Sequence, residues 1–341
     1  MKILILGVNG FIGSHLAERI LSTTDWEVRG HDLRATNLEN CLPHPRFLFR
    51  QNDMRQDRDW IEGQVSECDV ILPLVAVAQP KKYVEDPLFI FELDFEENLK
   101  IVRLCDRYGK RLVFPSTSEV YGMSQDPEFR EDESNLVLGP ICKTRWIYSC
   151  SKQMMDRVIA AYGMQKDLRF TLFRPFNWIG PRLDDSALAS EGKSRVLTQF
   201  IHNMIHGLPV QLVGGGEQRR CFTDIEDGID ALMTILRNEG NTADGQIFNI
   251  GNPKNNYSIR ELAETLKRVL ATFPAFREKA LQAAIVDTPS STYYGEGYED
   301  VEYRVPSIDK ARRILGWEPR FSLEDTLRKT LSSLVEPGQP S

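Results

Sequence analysis

Tyr148 and Lys152 are the two residues whose types and spacing most clearly suggest catalysis. They lie four positions apart in a segment with a helical pattern, so both side chains project from one face, one turn apart. A tyrosine hydroxyl has a reference pKa of about 10 and is a poor base at neutral pH. A neighbouring ammonium group favours the phenolate, which can then accept a proton from a substrate hydroxyl. Because this spacing also occurs by chance, the position of the pair in the fold matters.

A second polar group follows a short apolar run. Residues Arg111–Pro115 predict a buried strand, and the chain then continues as Ser-Thr-Ser-Glu-Val-Tyr-Gly. Thr117 can hydrogen-bond and orient the hydroxyl from which Tyr148 takes its proton. Ser118 and Glu119 add a polar and an acidic side chain at the same strand end.

A glycine motif lies near the start of the chain. Gly7, Gly10 and Gly13 follow the first predicted strand and open the first helix in the spacing GxxGxxG, with Phe11 and Ile12 between them. Glycines at these places allow a tight turn, close approach of the backbone to a pyrophosphate, and close helix–strand packing. The helix N-terminus offers free N–H groups and a positive dipole end to phosphates. The motif therefore indicates a dinucleotide site.

Two acidic residues bear on the identity of the dinucleotide. Asp32 stands at the predicted end of the second strand, where a carboxylate can accept both hydroxyls of the adenosine ribose. A carboxylate there repels a 2′-phosphate, so NAD is expected in preference to NADP, although the nearby Arg34 could pair with such a phosphate. Asp53 could bond the adenine amine or equally be a turn residue. Tyr148 and Lys152 would then lie beside the nicotinamide, with Lys152 also holding its ribose.

The elements that must position these residues alternate along the first half of the chain. Short apolar runs alternating with helical patterns are typical of a parallel sheet with helices on both faces. We therefore predict an α/β fold with a doubly wound sheet of the Rossmann type, which binds ligands outside the carboxyl ends of its strands. The predicted strands are Lys2–Leu6, Glu27–His31, Val70–Leu74, Arg111–Pro115 and Arg169–Arg174, and the predicted helices are Ile12–Leu21, Phe91–Tyr108 and Tyr148–Tyr162.

The regular alternation weakens after Phe176. We expect an NAD-binding domain over residues 1–175, to which residues 222–252 return by adding the strand Gln246–Ile250 to the sheet. Residues 176–341 are expected to form mainly a smaller α/β domain that binds the substrate and closes over the first.

Composition limits the classes of partner. The formal net charge of -7 argues against nonspecific binding to nucleic acid or to an anionic membrane. The six cysteines are scattered without a CxxC pair or a Cys/His cluster, which predicts reduced thiols and neither a zinc site nor a disulfide framework. No stretch approaches the roughly 18 apolar residues of a membrane span. We expect a soluble, cytoplasmic protein without a metal site.

The glycine motif, Asp32, the stretch around Thr117 and the Tyr148–Lys152 pair together resemble the extended short-chain dehydrogenase/reductase superfamily. The resemblance covers essentially the whole chain. This superfamily includes nucleotide-sugar epimerases, 4,6-dehydratases and decarboxylases. The resemblance implies an NAD-dependent enzyme that acts on a nucleotide sugar.

The residues after Thr117 favour one reaction. The pattern in 4,6-dehydratases is Thr-Asp-Glu, and its Asp acts as an acid, whereas this chain has Ser118. Simple 4-epimerases lack the acid at the third position, where this chain has Glu119. Thr-Ser-Glu resembles the UDP-glucuronic acid decarboxylases. This implies oxidation of UDP-glucuronic acid at C4 and loss of its carboxylate as CO2, giving UDP-4-keto-pentose and NADH.

Two further segments resemble the same decarboxylases. Residues 173–182 resemble a family segment whose Asn binds the sugar nucleotide, and residues 295–304 resemble the C-terminal decarboxylase half of the bifunctional polymyxin-resistance enzyme. The resemblance implies that Glu119 and Arg304 are catalytic together with Thr117, Tyr148 and Lys152. Its implied substrate contacts are Ala78, Tyr83, Thr117, Ser118, Arg145, Asn177, Arg182, Arg195, Gln211, Arg219, Arg220 and Tyr298.

Some features depart from that family or stay open. Gln211 stands where the relative has Lys, and the formyltransferase half is absent from this sequence, so decarboxylation alone is expected. Arg219 and Arg220 could hold the diphosphate or be solvated surface residues. Family relatives also imply a homodimer, built by the helices near Phe91–Tyr108 and Tyr148–Tyr162.

Three alternatives remain. A UDP-xylose synthase performs the same two steps and then returns the hydride to C4, and the shared Thr-Ser-Glu, Tyr and Lys do not separate the two. The Tyr-rich stretch near the C-terminus favours the enzyme that releases the ketone. A UDP-glucuronate 4-epimerase and a non-catalytic NAD sensor are the others, although sensors of this fold typically lose the tyrosine or the lysine.

Overall fold

The computed structural model describes residues 1–289, 293 and 301–335. Its centre is a seven-stranded sheet in which all neighbouring strands run parallel. The described strands are β1 Lys2–Leu6, β2 Glu27–Asp32, β3 Phe47–Gln51, β4 Val70–Pro73, β5 Arg111–Pro115, β6 Phe170–Pro175, β7 Trp178–Ile179, β8 Val210–Val213, β9 Arg219–Cys221, β10 Thr223–Asp224, β11 Gln246–Ile250, β12 Asn256–Ser258 and β13 Ile285–Thr288. The order across the large sheet is β11-β6-β5-β4-β1-β2-β3, which confirms the predicted doubly wound α/β fold.

Helices cover both faces of this sheet. The described helices are α1 Phe11–Thr23, α2 Arg58–Glu67, α3 Pro80–Glu85, α4 Pro87–Phe91, α5 Asn98–Tyr108, α6 Trp146–Lys166, α7 Ser186–Ser190, α8 Val196–His206, α9 Ile225–Arg237, α10 Ile259–Leu270, α11 Arg277–Gln282, α12 Asp309–Leu315 and α13 Leu323–Val335. Residues Glu92–Glu97 form a π-helical turn between α4 and α5. The single helix expected over Phe91–Tyr108 is therefore interrupted by a wider turn in its first half.

The sheet is apolar on both faces, as its position between two helical layers requires. Ile3 and Ile5 of β1 belong to the core shared with α1 and α9, whereas Leu4 and Leu6 belong to the core shared with α2, α5 and α6. From β1 the chain proceeds to β2 on one side and later returns to β4 on the other. This reversal opens a crevice at the carboxyl ends of β1 and β4, where sheets of this kind bind ligands.

The second half of the chain adds a separate apolar core. Side chains of α8, α10 and α13 form it, together with the short strand β8. Three small two-stranded sheets accompany this core, namely β7 with β10, β8 with β13 and β9 with β12. Strand β11 instead pairs with β6 at the edge of the large sheet. Across the ranges described, no helix combines the length and the apolar character needed to cross a membrane.

Candidate active site

A cleft of about 1040 Å³ lies over the carboxyl ends of the central strands. Both halves of the chain contribute to its walls. Of the residues predicted from the sequence, those that line it are Gly7, Gly10, Phe11, Ile12, Gly13, Ala78, Tyr83, Thr117, Ser118, Glu119, Arg145, Tyr148, Lys152, Asn177, Arg182, Arg195, Gln211, Arg220 and Arg304. Asp32, Asp53 and Arg219 are not part of the lining, and Tyr298 lies outside the described residues.

The glycine turn forms one end of the cleft and fits the pyrophosphate of NAD. Gly7 has a φ of 84°, in the left-handed region, and a Cβ there would lie 3.0 Å from the backbone nitrogen of Val75. A Cβ at Gly13 would lie 2.5 Å from the carbonyl oxygen of Gly7. The turn thus excludes side chains, and α1 begins directly behind it. Backbone N–H groups at a helix N-terminus are a ready anion site.

Asp32 lies beside the glycine turn, at the end of β2. Its carboxylate accepts hydrogen bonds from the backbone N–H groups of Asn9 (2.9 Å) and Arg34 (3.3 Å). These bonds fix the side chain at the end of β2, beside the glycine turn. Burial raises the pKa of Asp32, and the hydrogen bonds oppose that shift. Asp53, by contrast, forms an ion pair with Arg55 at 2.6 Å, an arrangement that suits a turn residue better than an adenine contact.

Tyr148 occupies the middle of the cleft with Thr117 beside it. The Thr117 side chain interacts with Tyr148 and lowers its pKa, and the Tyr148 ring stacks on Tyr83 with centroids 4.6 Å apart. Burial raises the pKa of Tyr148 well above its ordinary value, and Asp94 and Glu119 add to the increase. The phenol is therefore protonated in this state, and it needs added positive charge nearby before it can act as a base.

Lys152 lies one helical turn beyond Tyr148 and is almost completely buried. Its ammonium group donates a hydrogen bond to the carbonyl oxygen of Pro115 (3.1 Å), at the end of β5, and lies 6.0 Å from the centre of the Tyr148 ring. Burial lowers the pKa of Lys152, whereas Asp94 and Asp156 raise it. The helix α6 and the strand β5 thus bring Thr117, Tyr148 and Lys152 together.

Glu119 follows Thr117 by two positions and is bonded by two arginines. Its carboxylate accepts hydrogen bonds from Arg145 (2.7 Å) and Arg304 (3.1 Å). Burial alone would raise the pKa of Glu119, but the charges of Arg145 and Arg304 outweigh it and lower the pKa to about 2. Glu119 is therefore an anion at neutral pH. Both arginines are at least nine-tenths buried, so the cluster places three charged groups in the buried wall of the cleft.

Two hydrogen bonds from β9 hold the segment that carries Arg304. Arg220 donates from its guanidinium to the carbonyl oxygen of Val301 (2.8 Å), and the backbone N–H of Arg219 donates to the carbonyl oxygen of Glu302 (2.9 Å). The Arg219 side chain pairs with Glu261 at 3.1 Å, away from the cleft lining. Successive residues of a strand point to opposite faces, so Arg220 alone of this pair is directed toward the cleft.

Other basic residues of the lining have acidic partners. Arg182 forms a two-point ion pair with Glu18 of α1 (2.7 Å at the shorter contact), and Arg195 pairs with Asp184 at 2.9 Å. Because Glu18 belongs to α1, its ion pair with Arg182 connects the wall of the cleft to the helix that follows the glycine turn. Asn177 has a φ of 41°, an uncommon backbone geometry that occurs where the chain turns after β6.

Sequence reasoning missed Asp94 as a member of this neighbourhood. Asp94 lies in the π turn, is fully buried, and its charge interacts with both Lys152 and Tyr148. A single acid in the acidic stretch Glu92–Glu97 gives no sign of burial. The π turn that buries it is not visible in the hydrophobic pattern either.

The fold and the site together define a class of protein. A glycine turn at the first strand, an acid at the end of the second, and a Thr-Tyr-Lys group at the switch point are the parts of a dinucleotide-dependent oxidoreductase. Residues 3–251 match the family described as the NAD dependent epimerase/dehydratase family, and the chain belongs to that family. The expectation of an NAD-dependent enzyme is confirmed at this level.

Solved structures with the same fold include both near and distant relatives. The PbgP3 protein from Burkholderia pseudomallei is 52% identical, with a TM-score of 0.89 over 97% of this chain and 95% of that chain. UDP-glucuronic acid 4-epimerase from Bacillus cereus, solved with UDP-glucuronic acid and NAD, is 23% identical, with a TM-score of 0.82 over 98% and 99%. The dTDP-glucose 4,6-dehydratase from Bacillus anthracis, solved with NAD, is 21% identical, with a TM-score of 0.79 over 99% and 97%.

Proposed function

We propose that the protein oxidises and decarboxylates UDP-glucuronic acid, and releases UDP-4-keto-pentose, CO2 and NADH. The Thr117, Tyr148 and Lys152 group suits oxidation of a sugar hydroxyl. The family to which the chain belongs uses NAD, and a distant structural relative was solved with UDP-glucuronic acid and NAD. The carboxylate of this substrate is attached to C5, the carbon next to the C4 that would be oxidised, so the oxidation gives a β-keto acid.

The observation that carries this proposal is the Arg145–Glu119–Arg304 cluster. Two guanidinium groups bond one carboxylate, close to the Thr117 and Tyr148 hydroxyls. A sugar carboxylate that enters the cleft can compete for the same guanidinium groups, since arginine binds carboxylates in a fixed planar geometry. An uncharged sugar offers no such group, so the cluster favours an acidic sugar.

The residues have separate tasks in the oxidation. Bound NAD supplies a hydride acceptor and a positive charge near the reacting carbon. Thr117 orients the C4 hydroxyl toward the Tyr148 oxygen. Tyr148 accepts the hydroxyl proton, and the Lys152 ammonium stabilises the phenolate that makes this transfer possible.

The same residues then assist loss of the carboxylate. Thr117 and protonated Tyr148 hydrogen-bond the C4 oxygen, and so stabilise the negative charge that this oxygen carries as CO2 leaves the β-keto acid. A proton taken up at C5 then converts this enolate to the 4-keto-pentose. Arg304 holds the carboxylate before it leaves. Glu119, which stays ionised because its pKa is about 2, repels the carboxylate and disfavours its retention.

The test is incubation of the purified protein with UDP-glucuronic acid and excess NAD. We expect NADH and CO2 in equal amounts, together with UDP-4-keto-pentose. CO2 with UDP-xylose and no net NADH would instead identify a xylose synthase. Formation of the 4-epimer without CO2 would contradict decarboxylation altogether.

Two substitutions test the arginine–carboxylate cluster directly. Arg304→Ala and Glu119→Gln should reduce CO2 release by about 100-fold or more, the scale of a lost electrostatic contact in an active site. Arg313→Ala removes an exposed arginine of α12 and should leave turnover unchanged. Unaltered CO2 release by Arg304→Ala would contradict the assigned role of the cluster.

A further inference from the structure

Asp94 is a buried carboxylate next to the catalytic pair, and the proposed reaction gives it no task. It lies in the π turn Glu92–Glu97 and has 0% of its surface exposed. This turn packs against α6, the helix that carries Tyr148 and Lys152. Single π turns within helices frequently occur at functional sites.

The contacts of Asp94 leave its charge incompletely balanced. One carboxylate oxygen accepts a hydrogen bond from the backbone N–H of Val77 at 3.3 Å, and Val77 lines the cleft. The other oxygen is buried without a hydrogen-bond partner among the residues that the structure describes. Burial of a carboxylate with an unsatisfied oxygen is costly unless a nearby opposite charge offsets it.

Lys152 is the cation that interacts with Asp94. Its ammonium group is itself buried and has a single hydrogen bond among the described residues, to the carbonyl oxygen of Pro115. A second acid, Asp156, also faces Lys152, but the Asp156 carboxylate already accepts hydrogen bonds from Arg174 (3.1 Å) and Ser116 (2.7 Å). Arg174 offsets part of the Asp156 charge, and Asp94 has no hydrogen-bonded cation among the described residues, so Asp94 raises the pKa of Lys152 more than Asp156 does.

We infer that Asp94 is a positioning residue that acts through Lys152, and that its buried carboxylate keeps the Lys152 ammonium charged beside Tyr148 during proton removal. The inference rests on the part of the proposed function in which Tyr148 removes a hydroxyl proton. That step is common to the oxidation, epimerisation and dehydration reactions considered for this family. It does not depend on decarboxylation.

The direction of the effect is set by the charges. Burial raises the pKa of Asp94 to about 6, although Lys152 opposes the increase. Ionised Asp94 raises the pKa of Lys152 and that of Tyr148. Removing the charge of Asp94 should therefore lower the pKa of Lys152 and the pKa of Tyr148. The charged and titratable groups that face this pair are Tyr148 and Asp156 on α6, Arg174 on β6, Tyr83 on α3 and Glu119 after β5.

The first experiment compares Asp94→Asn with the parent enzyme over a range of pH. We expect the alkaline limb of kcat, where Lys152 loses its proton, to move to lower pH by about one unit, the scale for loss of a nearby opposite charge. Glu96→Gln removes an exposed carboxylate from the same π turn and should reproduce the parent profile. An unshifted alkaline limb in Asp94→Asn would overturn the inference.

A second readout needs neither substrate nor NAD, so it is independent of the proposed reaction. Lysine labelled with ¹³C at its ε-carbon allows the Lys152 resonance, assigned with Lys152→Gln, to be titrated by NMR. Asp94→Asn should lower its midpoint. A lowered midpoint in a protein that does not act on UDP-glucuronic acid would reject the proposed substrate but retain the role of Asp94.

The parent protein provides a further measurement in case Asp94→Asn does not fold. Aspartate labelled at its carboxyl carbon should show one group that titrates near pH 6, and the Lys152 ε-carbon should show a step at the same pH. A shared step means that ionisation of Asp94 changes the electrostatic environment of Lys152. Its absence would overturn the inference.

Discussion

At the scale of single residues, the proposed reaction depends on ionisation of the Tyr148 hydroxyl. Burial and the carboxylates of Asp94 and Glu119 all raise the pKa of Tyr148, and the interaction with Thr117 lowers it. In this state the phenol keeps its proton. A base of this kind works only when Lys152 and the positive charge of the bound cofactor act together, which links proton removal to cofactor binding.

Substitution of Tyr148 by Phe removes only the phenolic oxygen, and so tests whether that oxygen acts as the base. We expect kcat to fall by about 10²- to 10⁴-fold, the range for loss of a general base, while NAD affinity and the unfolding midpoint change little. Tyr162→Phe alters the same helix outside the cleft lining and should retain full activity. A Tyr148→Phe variant that turns over substrate at the parental rate would remove Tyr148 from the mechanism, whereas a parent protein that binds NAD without any turnover would favour the non-catalytic sensor.

At the scale of elements, the glycine turn and α1 form a unit that has no room for an added methyl group. A Cβ at Gly13 would meet the carbonyl oxygen of Gly7 at 2.5 Å and the Cα of Val8 at 2.8 Å. Either the helix or the turn would have to shift. The N–H groups that face the pyrophosphate would shift with it.

Gly13→Ala is therefore expected to weaken NAD binding by about tenfold or more, which corresponds to about 1.4 kcal/mol. Calorimetric titration with NAD measures the effect. Gly63→Ala is a matched control, because Gly63 lies within α2 and a Cβ there would meet nothing within 4 Å. That control should raise the free energy of unfolding by about 0.5–1 kcal/mol and leave NAD affinity unchanged. Equal NAD affinity in Gly13→Ala and the parent would refute the proposed steric role.

The helices show where prediction from the sequence stops. The pattern over Phe91–Tyr108 predicted a helix, and the structure has helical turns throughout, but the π turn Glu92–Glu97 depends on packing against α6. An acid such as Asp94 looks like a surface residue in the sequence, since its burial arises from that packing. The homodimer expected from α5 and α6 stays a prediction, for which sedimentation measurements are suitable.

At the scale of the whole molecule, the cleft is assembled from distant parts of the chain. Thr117, Tyr148 and Lys152 could be predicted because a strand end and the next helix meet in a parallel sheet. Arg304 was found only through resemblance, because no local pattern marks a lone arginine that follows a loop. The difference between Arg219 and Arg220 depends on the pairing of β9 with β12, which sequence reasoning had not predicted.

The Glu119 cluster joins these distant parts, so acid should weaken it. The pKa of Glu119 falls from 4.5 to about 2 on folding. A lowered folded-state pKa contributes stability above the unfolded value, and this stability is lost as pH decreases from about 4.5 through about 2. Urea unfolding across that range should show a steeper loss in the parent than in Glu119→Gln. Glu96→Gln should follow the parent, and identical slopes for all three would show that Glu119 is not coupled to folding.

The fastening of the Val301–Arg304 segment has a consequence for how new activities can arise on this fold. Arg304 reaches Glu119 from 185 positions further along the chain, whereas the groups suited to removing a hydroxyl proton lie in the first half. Under the proposed function, mutations in the late segment can change the step after oxidation without disturbing the oxidation itself. New products are therefore accessible by replacing one short stretch near the C-terminus, while the more demanding dinucleotide site is inherited intact.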